Sequence, residues 1–161
     1  MSYLLSVKEG SPLRGGLKYL TSEQSLFYEV RDRAELEERA GMEGVTSLVV
    51  DTLQLELSVE SGELLFAWGY FPMPSWESAS LAIPSFSTGR IFAAPNVKFM
   101  EGVSVRASSS DWRIEYDSRA GLLNVRSGSA ADLKFVQIAE GVVLGVGSGK
   151  LLSIWLKPMF C

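Results

Sequence analysis

The run Gly145-Val146-Gly147-Ser148-Gly149-Lys150 has the glycine density and the lysine of a loop that wraps phosphate. Such a loop needs Gly, four residues, then Gly-Lys-Ser/Thr, because the hydroxyl holds magnesium and the following helix aims its N-terminus at the phosphates. Here Leu144 stands in the first glycine's place and Leu151 in the hydroxyl's. Downstream, "LLSIWL" alternates as a strand does, and no helix follows. The run therefore reads as a β-hairpin turning through Gly147-Ser148-Gly149, and no nucleotide or other cofactor is expected. A second candidate is Asp111, Glu115 and Asp117 around Trp112 and Tyr116, the carboxylate and aromatic mixture with which glycosidases straddle a glycosidic bond. The same spacing fits solvent-facing residues near a turn. Asp51 shares the parity of Leu53 and Leu55, which would aim a carboxylate at the core unless the chain bulges or a strand begins near Asp51-Thr52. The bulge or strand start is expected, since no basic partner is evident.

Composition narrows the chemistry further. The 161 residues include no histidine and one cysteine, Cys161. This removes Ser-His-Asp and Cys-His catalysis, thiolate metal clusters, an internal disulfide and the commonest zinc ligand. Catalysis is not expected. The net charge of −4, with Lys and Arg scattered, offers a phosphate backbone no basic stripe, so nucleic acid is disfavoured as a partner. No apolar run reaches the length of a membrane span, and the opening "MSYLLSVKEG" carries no signal-peptide pattern. A cytoplasmic protein forming a single domain over 1–161 is expected.

The elements that must position any site read mostly as strands. "YLLSV" and "SLFYEV" are short strand candidates separated by the loop "KEGSPLRGG". Asp32 with Glu35 three residues on has the form of a capping box, and Gly41 suits the end of a short helix over about 32–40. From Val45 the period becomes two. Leu53, Leu55, Leu57 and Val59 alternate with polar residues, Ser61-Gly62 turns the chain, and "ELLFAWGYF" returns as a central strand apolar on both parities. Pro72, Pro74 and Pro84 then force an ordered surface excursion. Further strands are expected at "RIFAA", "GVSVRAS", "DWRIEYD", "GLLNVRS" and "LKFVQIA". The expected fold is mainly β, or α+β with one short helix, as an antiparallel sandwich or a barrel-like curled sheet.

The strings "VVDTLQLEL", "WGYFPMPSW", "EGVS" and "AEGVVLGVGSGKLLSIWLKP" within residues 49–158 resemble small bacterial immunity proteins of polymorphic toxin and contact-dependent growth inhibition systems. The resemblance implies a protein that binds and neutralises a cognate toxin C-terminal domain by stoichiometric occlusion. Its motifs belong to the scaffold and assign no functional residue.

Two stretches are candidates for the contact. Glu35, Glu37 and Glu38 lie in an acidic segment that would steer a basic toxin, such as a nuclease, toward the surface. The bland alternative is a solvated helix face with a Glu35–Arg39 pair. Tyr70, Phe71 and Trp76 lie on a proline-bounded loop whose aromatics would anchor a partner, or else pack on the sheet. Trp68 is assigned to the core. Two further functions stay open, a carbohydrate- or peptide-binding β module and a carboxylate-based hydrolase.

Overall fold

The computed structural model describes residues 3–95, 98–107, 111–128 and 132–161. Its elements in chain order are β1 (Tyr3–Lys8), β2 (Gly15–Leu20), β3 (Ser25–Val30), α1 (Arg33–Ala40), β4 (Val45–Val50), β5 (Leu53–Ser58) and β6 (Leu64–Tyr70). After a 3-10 turn at Met73–Ser75 come β7 (Glu77–Ser78), β8 (Ser87–Thr88), β9 (Arg90–Pro95), β10 (Val105–Arg106), β11 (Trp112–Asp117), β12 (Leu122–Ser127), β13 (Lys134–Ala139), β14 (Val142–Gly147), β15 (Lys150–Leu156) and β16 (Met159–Phe160). The protein is mostly β with one α-helix among the described residues, as its period-two patterning requires.

Two seven-stranded sheets carry the fold, ordered β10-β4-β5-β6-β3-β2-β16 and β7-β11-β12-β15-β14-β13-β8. Neither closes into a barrel. Their inward faces share one core, in which Leu48, Leu53, Leu55 and Leu57 from the first sheet join Leu123, Val125, Leu144 and Ile154 from the second. This is a sandwich, and β6 is its central strand in the first sheet. A two-stranded ribbon, β1 with β9, flanks the pair: the amide of Ala93 donates to the carbonyl of Gly62 at 2.7 Å and that of Leu5 to Gly149 at 2.9 Å.

Local chemistry explains the turns. Asp51 and Thr52 form a two-residue hairpin turn with Val50 opposite Leu53, and Asp51 is exposed at φ 56°. Aspartate tolerates that left-handed backbone. The parity change is therefore a turn and not a bulge, and the carboxylate reaches solvent. The glycine-rich run is likewise a hairpin turn, with Gly147 opposite Lys150 and positive φ at Ser148 and Gly149. Gly62 sits at φ 78°, and a Cβ there would lie 2.1 Å from the carbonyl of Ala93. Only glycine lets the ribbon approach this closely.

In α1, Asp32 accepts from the amide of Ala34 at 2.9 Å. The expected capping box is not completed. Glu35 pairs instead with Arg14 at 3.1 Å and Arg39 at 3.5 Å. The strand expected over "GVSVRAS" is confined to Val105–Arg106, and Ser108 lies outside the described residues. Among the described residues no helix is long and apolar enough to cross a membrane.

Candidate binding surfaces

The aromatic loop divides into one surface residue and two packing residues. Phe71 is 0% exposed, so its expected role as a partner anchor is corrected: it is a core residue. Trp76 is half-buried, with its ring centroid 5.0 Å from Tyr19, 5.3 Å from Phe71 and 5.0 Å from Tyr116. The 3-10 turn folds it back, since the amide of Met73 donates to Gln24 Oε1 and that of Trp76 to the Met73 carbonyl. Beyond it, β7 joins β11, carrying the loop from the first sheet to the second. Tyr19 completes the nest by donating its hydroxyl to the Phe71 carbonyl at 2.7 Å, and burial pushes the Tyr19 pKa up. Tyr70 alone of the three stays on the surface, at 54% exposed.

Tyr70 belongs to a wider patch. Ser25 stands opposite Tyr70, Lys18 opposite Phe27, and Met159 opposite Lys18. Directly opposed residues share a face of the sheet, and alternate residues of one strand do so too. Tyr70, Phe27 and Met159 therefore lie on the outer face of the first sheet, the latter two 49% and 66% exposed. Trp68 joins them. It was assigned to the core, yet it is half-buried on this face, paired with Gln54 and donating its indole N–H to Glu56 at 3.2 Å. Burial raises the Glu56 pKa, while the indole hydrogen bond opposes the shift. The second sheet's outer side carries ion pairs instead, Arg113 with Glu77 at 3.1 Å and Arg126 with Glu115 at 2.9 Å. Exposed apolar side chains sharing one sheet face make the outer face of the first sheet the candidate interaction surface.

The acidic segment lies elsewhere. Glu37 and Glu38 are exposed on α1, whereas Glu35 is held between two arginines. Helix α1 is tied to the start of β6 through the Arg39–Glu63 contact at 3.6 Å, and Tyr70 ends that strand. Seven steps from Glu63 to Tyr70 at roughly 3.3 Å each put the two groups about 23 Å apart. The fold does not bring the glutamates and Tyr70 together.

Beside α1 the structure also forms a cleft of about 670 Å³, which the sequence did not announce. Arg14, Arg31 and Arg39 line it with Glu35 and Glu140. Glu140 Oε1 accepts from the amide of Gly15 at 3.0 Å, and Arg39 Nη2 donates to the Ser11 carbonyl at 3.0 Å. The cleft lies where Leu13 bridges Ala139, so residues from the two sheets meet in it.

No known family model matches this chain. Nor does any curated protein.

Of the three carboxylates in and beside β11, Glu115 and Asp117 are committed to structure. Glu115 pairs with Arg126, and Asp111 is exposed at φ 61°. Asp117 accepts from the amide of Leu81 at 2.8 Å and from those of Arg119 and Ala120 at 3.0 and 3.2 Å. The bond from Leu81, then that from Ala120, hold its pKa below the ordinary value. A depressed carboxylate stabilises the fold above its unfolded pKa, near about 4, and loses that contribution as pH falls through the lower folded value. Asp117→Asn should therefore flatten the acid limb of a profile of urea midpoint against pH. A variant with the wild-type acid limb would show that this turn carries no proton linkage.

Proposed function

We propose that this chain is a protein-binding module that neutralises its partner by covering it, an immunity protein for a bacterial toxin domain. The contact is assigned to the outer face of the first sheet. What carries this reading is the grouping of exposed Phe27, Tyr70 and Met159 beside Trp68, since aromatics and methionine are enriched in the centres of protein interfaces. The resemblance over residues 49–158 supplies the toxin partner, and the net charge of −4 suits a basic one. Glu37 and Glu38, at the far end of β6, act through long-range steering of association.

The test is to express the candidate toxin domain encoded beside this chain's gene, with and without the chain. Cells are expected to survive only with it, and the two proteins to co-purify. Tyr70→Ala and Phe27→Glu should each weaken binding by about 2 kcal/mol or more, roughly thirtyfold, while leaving the thermal midpoint nearly unchanged. Glu37→Gln with Glu38→Gln should slow association and reduce its salt dependence, leaving dissociation alone. Equal killing in both strains without co-purification would remove the immunity reading. Retained affinity in both face variants would move the contact elsewhere.

A further inference from the structure

The cleft beside α1 holds an unbalanced set of charges. Glu35 pairs with Arg14 and Arg39, and Arg39 also reaches Glu63, which is held from its other side by Arg90. Glu140 gives one oxygen to the Gly15 amide. The residues that line the cleft carry three guanidiniums, from Arg14, Arg31 and Arg39, against two carboxylates, from Glu35 and Glu140. Arg31 is the odd one. Its backbone amide donates to the Arg14 carbonyl at 2.9 Å, continuing the β2–β3 ladder by one pair beyond Gly15 and Val30. Its side chain has no hydrogen bond or ion pair among the described residues, although it lines the cleft. Arginines directly opposite one another across a strand pair repel, and of these two only Arg14 has a carboxylate partner, Glu35.

We infer that this cleft binds a small organic anion, a carboxylate or a phosphate monoester, with its charged head on Arg31 and Arg14. Planar guanidiniums take either oxyanion through paired N–H···O bonds, and one negative charge balances the set. A volume of about 670 Å³ exceeds what a bare ion fills and lies in the range of small-molecule sites. The walls set the selectivity. Glu35 and Glu140 would repel a second anionic group, so the remainder of the ligand is neutral or cationic. A polyphosphate chain or nucleic acid is disfavoured here, in a chain whose net charge is −4.

The experiment is a titration of the isotope-labelled full chain at low ionic strength, following arginine Nε–Hε resonances. Acetate and inorganic phosphate serve as separate probes. Saturable shifts are expected at Arg14 and Arg31, with none at Arg113, an exposed arginine on the other sheet. The probe that saturates at lower concentration identifies the head group. Arg31→Gln should weaken binding at least about tenfold, the loss expected for charged hydrogen bonds. Because Arg31 has no side-chain partner to lose, its thermal midpoint should stay at the wild-type value. Linear shifts equal at Arg113, or undiminished binding by Arg31→Gln, would overturn the inference. Its fate is independent of the toxin experiment, since Phe27 and Tyr70 take no part in it.

Discussion

Glu63→Ala is expected to destabilise the protein by about 3–5 kcal/mol, the cost of removing one partner from a buried ion pair. Glu63 is 2% exposed, and Arg90 Nε donates to it at 2.9 Å. That hydrogen bond is the main reason the Arg90 pKa is raised. Arg39, with only 12% of its side chain exposed, would lose a carboxylate on the same side. Arg90 is a third exposed and regains some water, which places the cost at the lower end of the range. The pair also ties elements together, because Glu63 bridges Phe92 of the ribbon and Arg39 belongs to α1. The double variant Glu63→Met with Arg90→Met should recover most of the loss, since it removes the uncompensated Arg90 and Arg39 keeps its pair with Glu35. Urea unfolding of the single and double variants checks both statements. A single-variant loss under about 1 kcal/mol would mean that water reaches this carboxylate freely.

Trp76→Ala should cost a similar amount, about 3–5 kcal/mol, through the cavity left among Tyr19, Phe71, Tyr116 and Phe160. The ring stands between strands of different sheets, Tyr19 on β2 and Tyr116 on β11, so its loss should loosen their packing as well. Its indole N–H is buried without a hydrogen-bond partner. Leaving a donor unpaired costs roughly 1–3 kcal/mol, so Trp76→Phe removes a penalty together with some contact area. We expect Trp76→Phe to lose less than half of what Trp76→Ala loses. Calorimetric or denaturant unfolding of the pair decides it, and equal losses would show that the N–H has a partner in solution.

Where local pattern and burial agree, the sequence was sufficient. Leu53 to Val59 alternates because one face meets the core, and the helix was legible from Asp32 and Gly41. Strand β2 was not. Gly15-Gly16 reads as loop, yet Gly15 is required in the strand because a Cβ would lie 2.4 Å from the Glu29 carbonyl and 2.7 Å from the Tyr28 ring. For Phe71 and Trp76 the sequence leaves anchoring a partner and packing on the sheet both open, for a different reason. Their burial is decided by Tyr19 and Tyr116, distant in sequence, so a proline-bounded aromatic loop looks the same whether it points outward or inward. Phe27 did carry a signal, as the aromatic on the opposite parity from Leu26 and Tyr28 in "SLFYEV". The arginine cleft had none, because its walls come from residues 11–39 and 137–141.

The ends of the two large sheets set how another molecule can approach. β10, β16, β7 and β8 occupy the outermost positions and are two residues long, and each runs parallel to its neighbour. A long, straight margin would offer unpaired amides and carbonyls to any extended chain and seed stacking of one molecule on the next. Here that margin is reduced to a few groups before the chain turns away. Among the described residues, both large sheets thus end in strands too short to template a further strand along their own length. The partner contact proposed above would consequently be made by side chains on a sheet face, where a substitution leaves the ladders beneath undisturbed.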